Sequence, residues 1–235
     1  MVDLKPRPMR PIPERPVIIQ SGENCLEGLL INKKTDFLPA LFNSPNPKFG
    51  GNMNSTLLNE LAYALNQEGI SSLRYNYRGV GASQGESLGN EEEAKDMMAA
   101  LEFLLESTTG NLQDPLVVAG YSFGAWIAYL NAKVDHRIKR TLLISPPIEK
   151  LDFSNLSRVK GSLAILVGEK DHFCPVDTLK DFLKNLADKN TSWKPPAVYV
   201  VLEASHYFVH GLNEAGKVGA HYLQKGKFPK MENSA

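Results

Sequence analysis

The sequence predicts an α/β protein with a mostly parallel, twisted sheet of about eight strands and helices on both faces. Two observations support this prediction. Short apolar runs alternate along the chain with segments whose apolar residues recur at helical spacing. The 235 residues are 43% hydrophobic and 22% charged, which is ordinary globular composition and sufficient for one sizeable core. Alternating strands and helices favour a parallel sheet, because each parallel strand needs a crossover connection.

Strands are predicted where short runs of apolar and β-branched residues lie between turn residues. The first two flank the polar turn at 21–24 and are expected to form an antiparallel hairpin. A loop dense in Asn, Pro and Gly follows the third strand, at 43–54. The predicted strands are 17–19, 26–31, 38–42, 70–75, 116–119, 141–144, 163–167 and 197–202.

Helices are predicted where apolar residues recur three and four positions apart. Gly69 is expected to end the first of them. Asn90 is expected to cap the second, with three glutamates at 91–93 in its first turn, where acidic groups complement the helix dipole. The predicted helices are 55–65, one that begins after Asn90, 125–132, 176–186 and 214–223.

The chain is predicted to form a single domain over residues 17–224. Residues 1–16 contain five prolines, which fix φ and cannot donate to a sheet, so they read as an extended N-terminal arm. Residues 225–235 are polar and are expected to be a fraying tail. No internal repeat is visible in the sequence.

Charge and cysteine content exclude several classes of function. Lys plus Arg equals Asp plus Glu at 26 each, so no overall field attracts nucleic acid or an anionic membrane. Cys25 and Cys174 have neither the spacing nor the neighbours of a metal site. The glycine-rich stretch 79–85 lacks the spacing of a nucleotide loop, and no cofactor is predicted. The balanced charge favours a small, roughly neutral substrate. No apolar run approaches membrane-spanning length, so a cytoplasmic protein is expected.

The clearest motif is Gly-Tyr-Ser-Phe-Gly at 120–124. An apolar strand precedes it and a helical pattern follows, which is the order of a nucleophile elbow. In such a turn a strained serine is flanked by small residues, so Ser122 is the candidate nucleophile and Gly120 and Gly124 allow the close approach. The backbone N–H of Phe123 is then placed to stabilise a developing oxyanion.

A serine nucleophile needs a base, and the base needs a group that orients it. These groups should follow strands, because ligands of open α/β sheets bind at the carboxyl ends of strands. Asp171 follows the predicted strand 163–167, and His206 follows the last strand. Glu169 is an alternative acid, and His172 and His210 are alternative bases.

The second oxyanion donor is expected in the loop after the third strand. In the tetrapeptide Ser-Pro-Asn-Pro at 44–47 the prolines have no N–H group, which leaves Ser44 and Asn46. Asn46 occupies the usual position of the donor and is the predicted one.

The elbow, Asp171 and His206 together resemble the α/β-hydrolase superfamily over nearly the whole chain. The stretches 44–53 and 74–85 are similar to a small bacterial branch of lid-poor serine hydrolases near the dienelactone-hydrolase-like group, in which the first stretch usually reads His-Pro-His-Pro. Here Ser44 and Asn46 replace both histidines, which affects side-chain contributions to substrate choice and not a backbone oxyanion role. The short connection 145–162 lies where the superfamily commonly inserts a lid.

The resemblance implies acyl transfer to water through an acyl-enzyme, with Ser122, His206 and Asp171 as the catalytic triad. A carboxylesterase acting on small soluble esters is the first hypothesis. A thioesterase or a peptidase of the same fold is the neighbouring one. A non-catalytic binding protein that kept the fold is the alternative from a different class.

Overall fold

The computed structural model describes residues 12–230, and its centre is a single eight-stranded sheet. The strand order is β1-β2-β4-β3-β5-β6-β7-β8. β1 and β2 form an antiparallel hairpin, β2 pairs antiparallel with β4, and all later pairs are parallel. The strands are β1 Arg15–Ser21, β2 Asn24–Ile31, β3 Ala40–Asn43, β4 Ser72–Tyr75, β5 Leu116–Tyr121, β6 Ile138–Ile144, β7 Ser162–Gly168 and β8 Ala197–Val201.

Five α-helices within the described residues cover the two faces of the sheet. They are α1 Thr56–Gln67, α2 Glu93–Thr108, α3 Phe123–Ala132, α4 Val176–Lys189 and α5 Leu212–Lys225. α1 and α5 share one apolar core with the sheet, and α2, α3 and α4 share the other. The α/β fold with a mostly parallel sheet and helices on both faces is therefore confirmed.

β5 lies in the middle of the sheet, and all six of its residues are buried. Its side chains alternate between the two cores: Val118 belongs to the core under α2, α3 and α4, whereas Val117 and Ala119 belong to the other. A strand covered on both faces has no polar side, which is why this stretch reads as a continuous apolar run. The strand that precedes Ser122 is thus a rigid central support.

The start of α2 differs from the sequence prediction. The helix begins at Glu93, and Asn90 lies ahead of it in a turn, where its Oδ1 accepts the backbone N–H of Glu92 at 2.9 Å. The Glu93 carboxylate accepts the backbone N–H groups of Gly89 and Asn90 and the Ser87 hydroxyl. Asn90 is therefore not the cap, because this buried carboxylate turns back to hold the preceding loop.

The ends of the predicted domain lie close to the ends of the observed elements. β1 begins at Arg15, two residues before the predicted start at 17, and α5 ends at Lys225, one residue after the predicted end at 224. Most of the predicted arm, residues 1–11, and the last five residues of the predicted tail, 231–235, lie outside the described residues. The division into arm, domain and tail stays a prediction.

The connection between β6 and β7 packs against α3 and contains only a short 3-10 turn, Leu156–Arg158. The Trp126 indole N–H donates to the Asp152 carbonyl at 3.1 Å, and the Tyr129 and Phe153 rings lie 5.0 Å apart. This segment therefore forms no lid. Among residues 12–230, no helix combines the length and apolar character needed to cross a bilayer.

Candidate active site

Ser122 lies in the sharp turn between β5 and α3, with φ 57° and ψ −117°. This region of backbone conformation is strongly disfavoured for residues with a side chain. The turn is held from both sides: the Ser122 N–H donates to the Ile144 carbonyl at 2.8 Å, and its carbonyl accepts the Ala125 N–H at 3.0 Å. The local geometry is that of a nucleophile elbow, and it leaves the serine side chain partly exposed at the carboxyl edge of the sheet.

The glycines of the elbow are needed for close backbone approach. A Cβ on Gly120 would collide with the Gly124 carbonyl, and a Cβ on Gly124 would collide with the Asn43 carbonyl. The second contact shows that the loop after β3 lies directly against the first turn of α3. Glycine at both positions therefore brings the nucleophile and the predicted oxyanion loop together.

Replacing Gly124 by alanine is expected to destabilise the protein by about 3 kcal/mol, because the clash is with backbone atoms that cannot rotate away. Gly110→Ala is the control: Gly110 has φ 73° but open space around it, so only the left-handed backbone penalty of about 1 kcal/mol applies. Urea unfolding measures both free energies. Equal losses in the two variants would contradict the close packing at the elbow.

His206 and Asp171 form a hydrogen-bonded line with Ser122. The His206 Nε2 atom lies 3.1 Å from Ser122 Oγ, and its Nδ1 atom lies 3.0 Å from each Asp171 oxygen. Asp171 is only 3% exposed and His206 only 5%. The three residues come from loops after β5, β7 and β8, so parallel strand order brings them to one edge of the sheet.

The alternative residues left open by the sequence are placed elsewhere. The Glu169 carboxylate accepts the Glu203 backbone N–H at 2.9 Å. The His172 ring packs on Phe173 at a centroid distance of 4.2 Å. Within the described residues, none of Glu169, His172 and His210 forms a hydrogen bond with Ser122, whose Oγ atom pairs with His206.

Asp171 is buried yet held in its ionised form. Burial by itself raises the pKa of this carboxyl, but hydrogen bonding from His206 and the proximity of the Ser145 hydroxyl bring it below the usual aspartate value. The backbone N–H groups of Phe173 and Cys174 also donate to its Oδ1 atom, at 2.9 and 3.0 Å. The carboxylate is thus fixed in position, with one face towards the imidazole.

The lowered pKa of Asp171 predicts how folding stability depends on pH. A carboxyl with a folded pKa below its unfolded value contributes stability above the unfolded pKa of about 3.9, and that contribution is lost as pH falls through the folded pKa. The free energy of unfolding should therefore differ most between wild type and Asp171→Asn near pH 6, and the difference should shrink towards pH 3. Urea unfolding at both pH values tests this. If the difference in unfolding free energy instead grew as the pH fell, the effect of burial on the Asp171 pKa would outweigh the effect of its hydrogen bonds.

Two residues beside this line were missed by sequence reasoning. The Tyr121 hydroxyl donates to the His206 carbonyl at 2.6 Å, so it holds the loop that carries the imidazole. Ser145 follows β6, is fully buried with φ 47°, and faces the Asp171 carboxylate without forming a hydrogen bond of ordinary geometry. Its position after a parallel strand was a usable signal. The role of Tyr121 depends on a contact with a residue 85 positions away, and no signal in the sequence indicates that contact.

The predicted oxyanion donors have free N–H groups. Phe123 is the first residue of α3, and within residues 12–230 neither its N–H nor that of Asn46 donates to an acceptor. The Asn46 side chain instead caps the turn Pro47–Phe49 by accepting the Lys48 N–H at 2.9 Å. The Ser44 hydroxyl donates to the Tyr75 carbonyl. The loop is therefore rigid beside the elbow.

Metal binding and a cysteine nucleophile are not supported by the residues described at this edge of the sheet. Among the described residues, no group of three or more His, Cys, Asp or Glu side chains is arranged to hold a metal ion. Cys174 is buried near Asp171, and burial raises the pKa of its thiol, which opposes thiolate formation. Two surface clefts, of about 480 Å³ between the loops after β3 and β4 and about 270 Å³ between α1 and α5, have none of the three hydrogen-bonded residues in their walls. Ser122 therefore lies outside both of these clefts.

A strained serine that is hydrogen-bonded to an imidazole, which is itself hydrogen-bonded to a buried carboxylate, defines the serine hydrolase class. Comparisons with known proteins agree. A family model described as serine aminopeptidase, S33, matches residues 49–155, which include Ser122. An uncharacterised protein of Rickettsia prowazekii is 35% identical over 211 residues, covering 88% of this chain and 87% of the relative.

Two solved structures extend the likeness over almost the whole chain. An alpha/beta hydrolase of unknown function from Agrobacterium tumefaciens has 29% identity and a TM-score of 0.79, covering 90% of this chain and 96% of its own. An alpha-beta serine hydrolase homologue from Coxiella burnetii has 28% identity and a TM-score of 0.76, with 89% and 97% covered. The chain belongs to the α/β-hydrolase superfamily, and the coarse prediction of a hydrolase is confirmed.

Proposed function

We propose that the protein is a carboxylesterase that hydrolyses small soluble esters through a Ser122–His206–Asp171 triad. The observation that carries the proposal is the continuous hydrogen-bonded line from the serine to the buried carboxylate. No metal or cofactor is part of the proposed chemistry. The proposed partner is the substrate itself, and neither nucleic acid nor a membrane takes part.

Acylation begins when His206 Nε2 removes the proton of Ser122 and the serine oxygen attacks the ester carbonyl. The N–H groups of Phe123 and Asn46 stabilise the oxyanion, and Asp171 stabilises the imidazolium. The imidazolium then passes its proton to the departing alcohol, which leaves an acyl group on Ser122. Water repeats the sequence and releases the carboxylic acid.

Esters are favoured over amides by the chemistry of the leaving group. An alkoxide leaves more easily than an amide anion, so the ester is the less demanding substrate for the Ser122–His206–Asp171 line. Hydrolysis of peptides is the second candidate, since the matching family model is described as a serine aminopeptidase. Recognition of a peptide amino terminus needs a free carboxylate. At this edge Glu203 is paired with Lys170, and the Glu169 carboxylate accepts a backbone N–H, so both carboxylates already have partners, which favours the esterase.

One experiment separates these activities. The protein is assayed against p-nitrophenyl esters, acyl thioesters and aminoacyl amides that carry comparable acyl groups, and labelled in parallel with a fluorophosphonate. Ester turnover above that of thioesters and amides, with one label on Ser122, is expected. Faster amide turnover would favour the peptidase, and a folded protein without turnover or label would favour a non-catalytic binding role.

A further inference from the structure

The proton path of the proposed esterase determines where the alcohol part of the substrate must lie. His206 Nε2 takes the proton from Ser122 Oγ, 3.1 Å away, and must hand it to the oxygen of the departing alcohol. That oxygen therefore approaches the imidazole directly. The group attached to it must pass along the surface next to His206, whatever the acyl group is.

Two exposed aromatic side chains border the imidazole. The Phe173 ring lies 4.7 Å from the His206 ring, centroid to centroid, at an interplanar angle of 61°, and the Tyr207 ring lies 5.6 Å away at 89°. Phe173 is 36% exposed and Tyr207 63% exposed, whereas His206 is almost buried. These two partly exposed rings beside the imidazole offer apolar surface that a ring of the substrate can cover.

Both rings are carried by loops that the site itself holds in place. The Phe173 N–H donates to Asp171 Oδ1 at 2.9 Å, and the His172 ring packs against the Phe173 ring. Tyr207 stands between His206 and Phe208, which is fully buried with φ 51°. The Phe173 ring and the backbone that carries Tyr207 are therefore positioned before a substrate arrives, which lowers the entropy cost of binding.

Three charged side chains of the same two loops, Glu169, Lys170 and Glu203, contact one another or the backbone and not His206. Lys170 forms an ion pair with Glu203, and the Glu169 carboxylate accepts the Glu203 N–H. Apart from Asp171, which is hydrogen-bonded to His206 Nδ1, the acidic side chains Glu169 and Glu203 of these loops have partners other than His206, and aromatic rings border the imidazole. This arrangement suits a neutral, apolar alcohol better than a charged one.

From these contacts we infer that Phe173 and Tyr207 form the leaving-group subsite and select esters of aromatic alcohols. The inference rests on the proposed esterase activity and adds to it the class of alcohol released. The acyl group is not restricted by these two rings. Phe173 and Tyr207 are specificity residues, and the proton transfers do not need their side chains.

The test compares benzyl butyrate with ethyl butyrate. The two esters share an acyl group, and their alcohols have similar acidity, so a difference in kcat/KM reports contact with the alcohol part. The native protein should prefer the benzyl ester by at least about tenfold, the order expected when a ring gains two aromatic contacts. Phe173→Ala and Tyr207→Ala should each reduce this ratio several-fold, and the double variant should bring it close to one.

Phe173→Tyr should retain the ratio, since the ring is kept. Phe37→Ala is the matched surface control, because Phe37 is also an exposed aromatic residue but precedes β3, at the opposite edge of the sheet. Its benzyl-to-ethyl ratio should equal that of the native protein. Circular dichroism establishes that each variant is folded.

The outcomes separate this inference from the function on which it rests. Equal turnover of the two esters by the native protein, or a ratio that survives in the double alanine variant, overturns the aromatic subsite and leaves the esterase standing. Failure to hydrolyse either ester or any p-nitrophenyl ester overturns the esterase and the subsite together.

Discussion

Replacing Ser122 by alanine is expected to lower kcat by about 10⁶, the loss seen when the nucleophile of a triad is removed. The physical reason is that no other hydroxyl or thiol among the described residues is hydrogen-bonded to His206 Nε2. Steady-state hydrolysis of a p-nitrophenyl ester measures the loss, and the fluorophosphonate label should disappear with it. The fold should persist, because alanine at 122 removes one partly exposed oxygen and leaves the elbow backbone as it is.

Ser72→Ala is the control for this variant. Ser72 carries a buried hydroxyl that has no hydrogen-bond partner within residues 12–230, and it begins β4, at the amino end of that strand. Its rate should match the wild type. A Ser122→Ala protein that keeps the wild-type rate would show that the elbow serine is not the nucleophile.

Replacing Asp171 by asparagine is expected to lower kcat by about 10⁴. Asparagine keeps the size of the side chain but loses the negative charge, so it can present an N–H towards His206 Nδ1 and favour the wrong imidazole tautomer. It also removes the charge that stabilises the imidazolium formed during acylation. Rates at saturating ester, with fluorophosphonate labelling as a second measure of Ser122 reactivity, report both effects.

Glu169→Gln provides the matched comparison, since it neutralises the other acid that the sequence offers in the same loop. The Glu169 carboxylate accepts the Glu203 N–H, whereas the hydrogen bonds of His206 Nδ1 are made with Asp171, so only a small change in kcat is expected. A large loss in Glu169→Gln together with a near-normal rate in Asp171→Asn would reverse the assignment of the orienting acid.

The sequence by itself determined the features that depend on residues close together in the chain. A glycine-flanked serine between an apolar strand and a helix permits one sharp turn, and the structure gives Ser122 that strained conformation. Strand and helix periodicity predicted eight strands, and parallel strand order implied that loops after β7 and β8 would meet the elbow. Those local rules were enough to name Asp171 and His206 as the leading candidates, with Glu169 as the alternative acid and His172 and His210 as the alternative bases.

The tertiary structure decided what depends on contacts between distant segments. The choice of Asp171 over Glu169, the hold of Tyr121 on the His206 loop and the approach of Ser145 to the carboxylate each arise from side chains that meet across the sheet edge. The aromatic border of His206 and the late start of α2 have the same origin. Periodicity reports which face of an element is buried, but the direction and partner of each side chain follow from packing against the rest of the molecule.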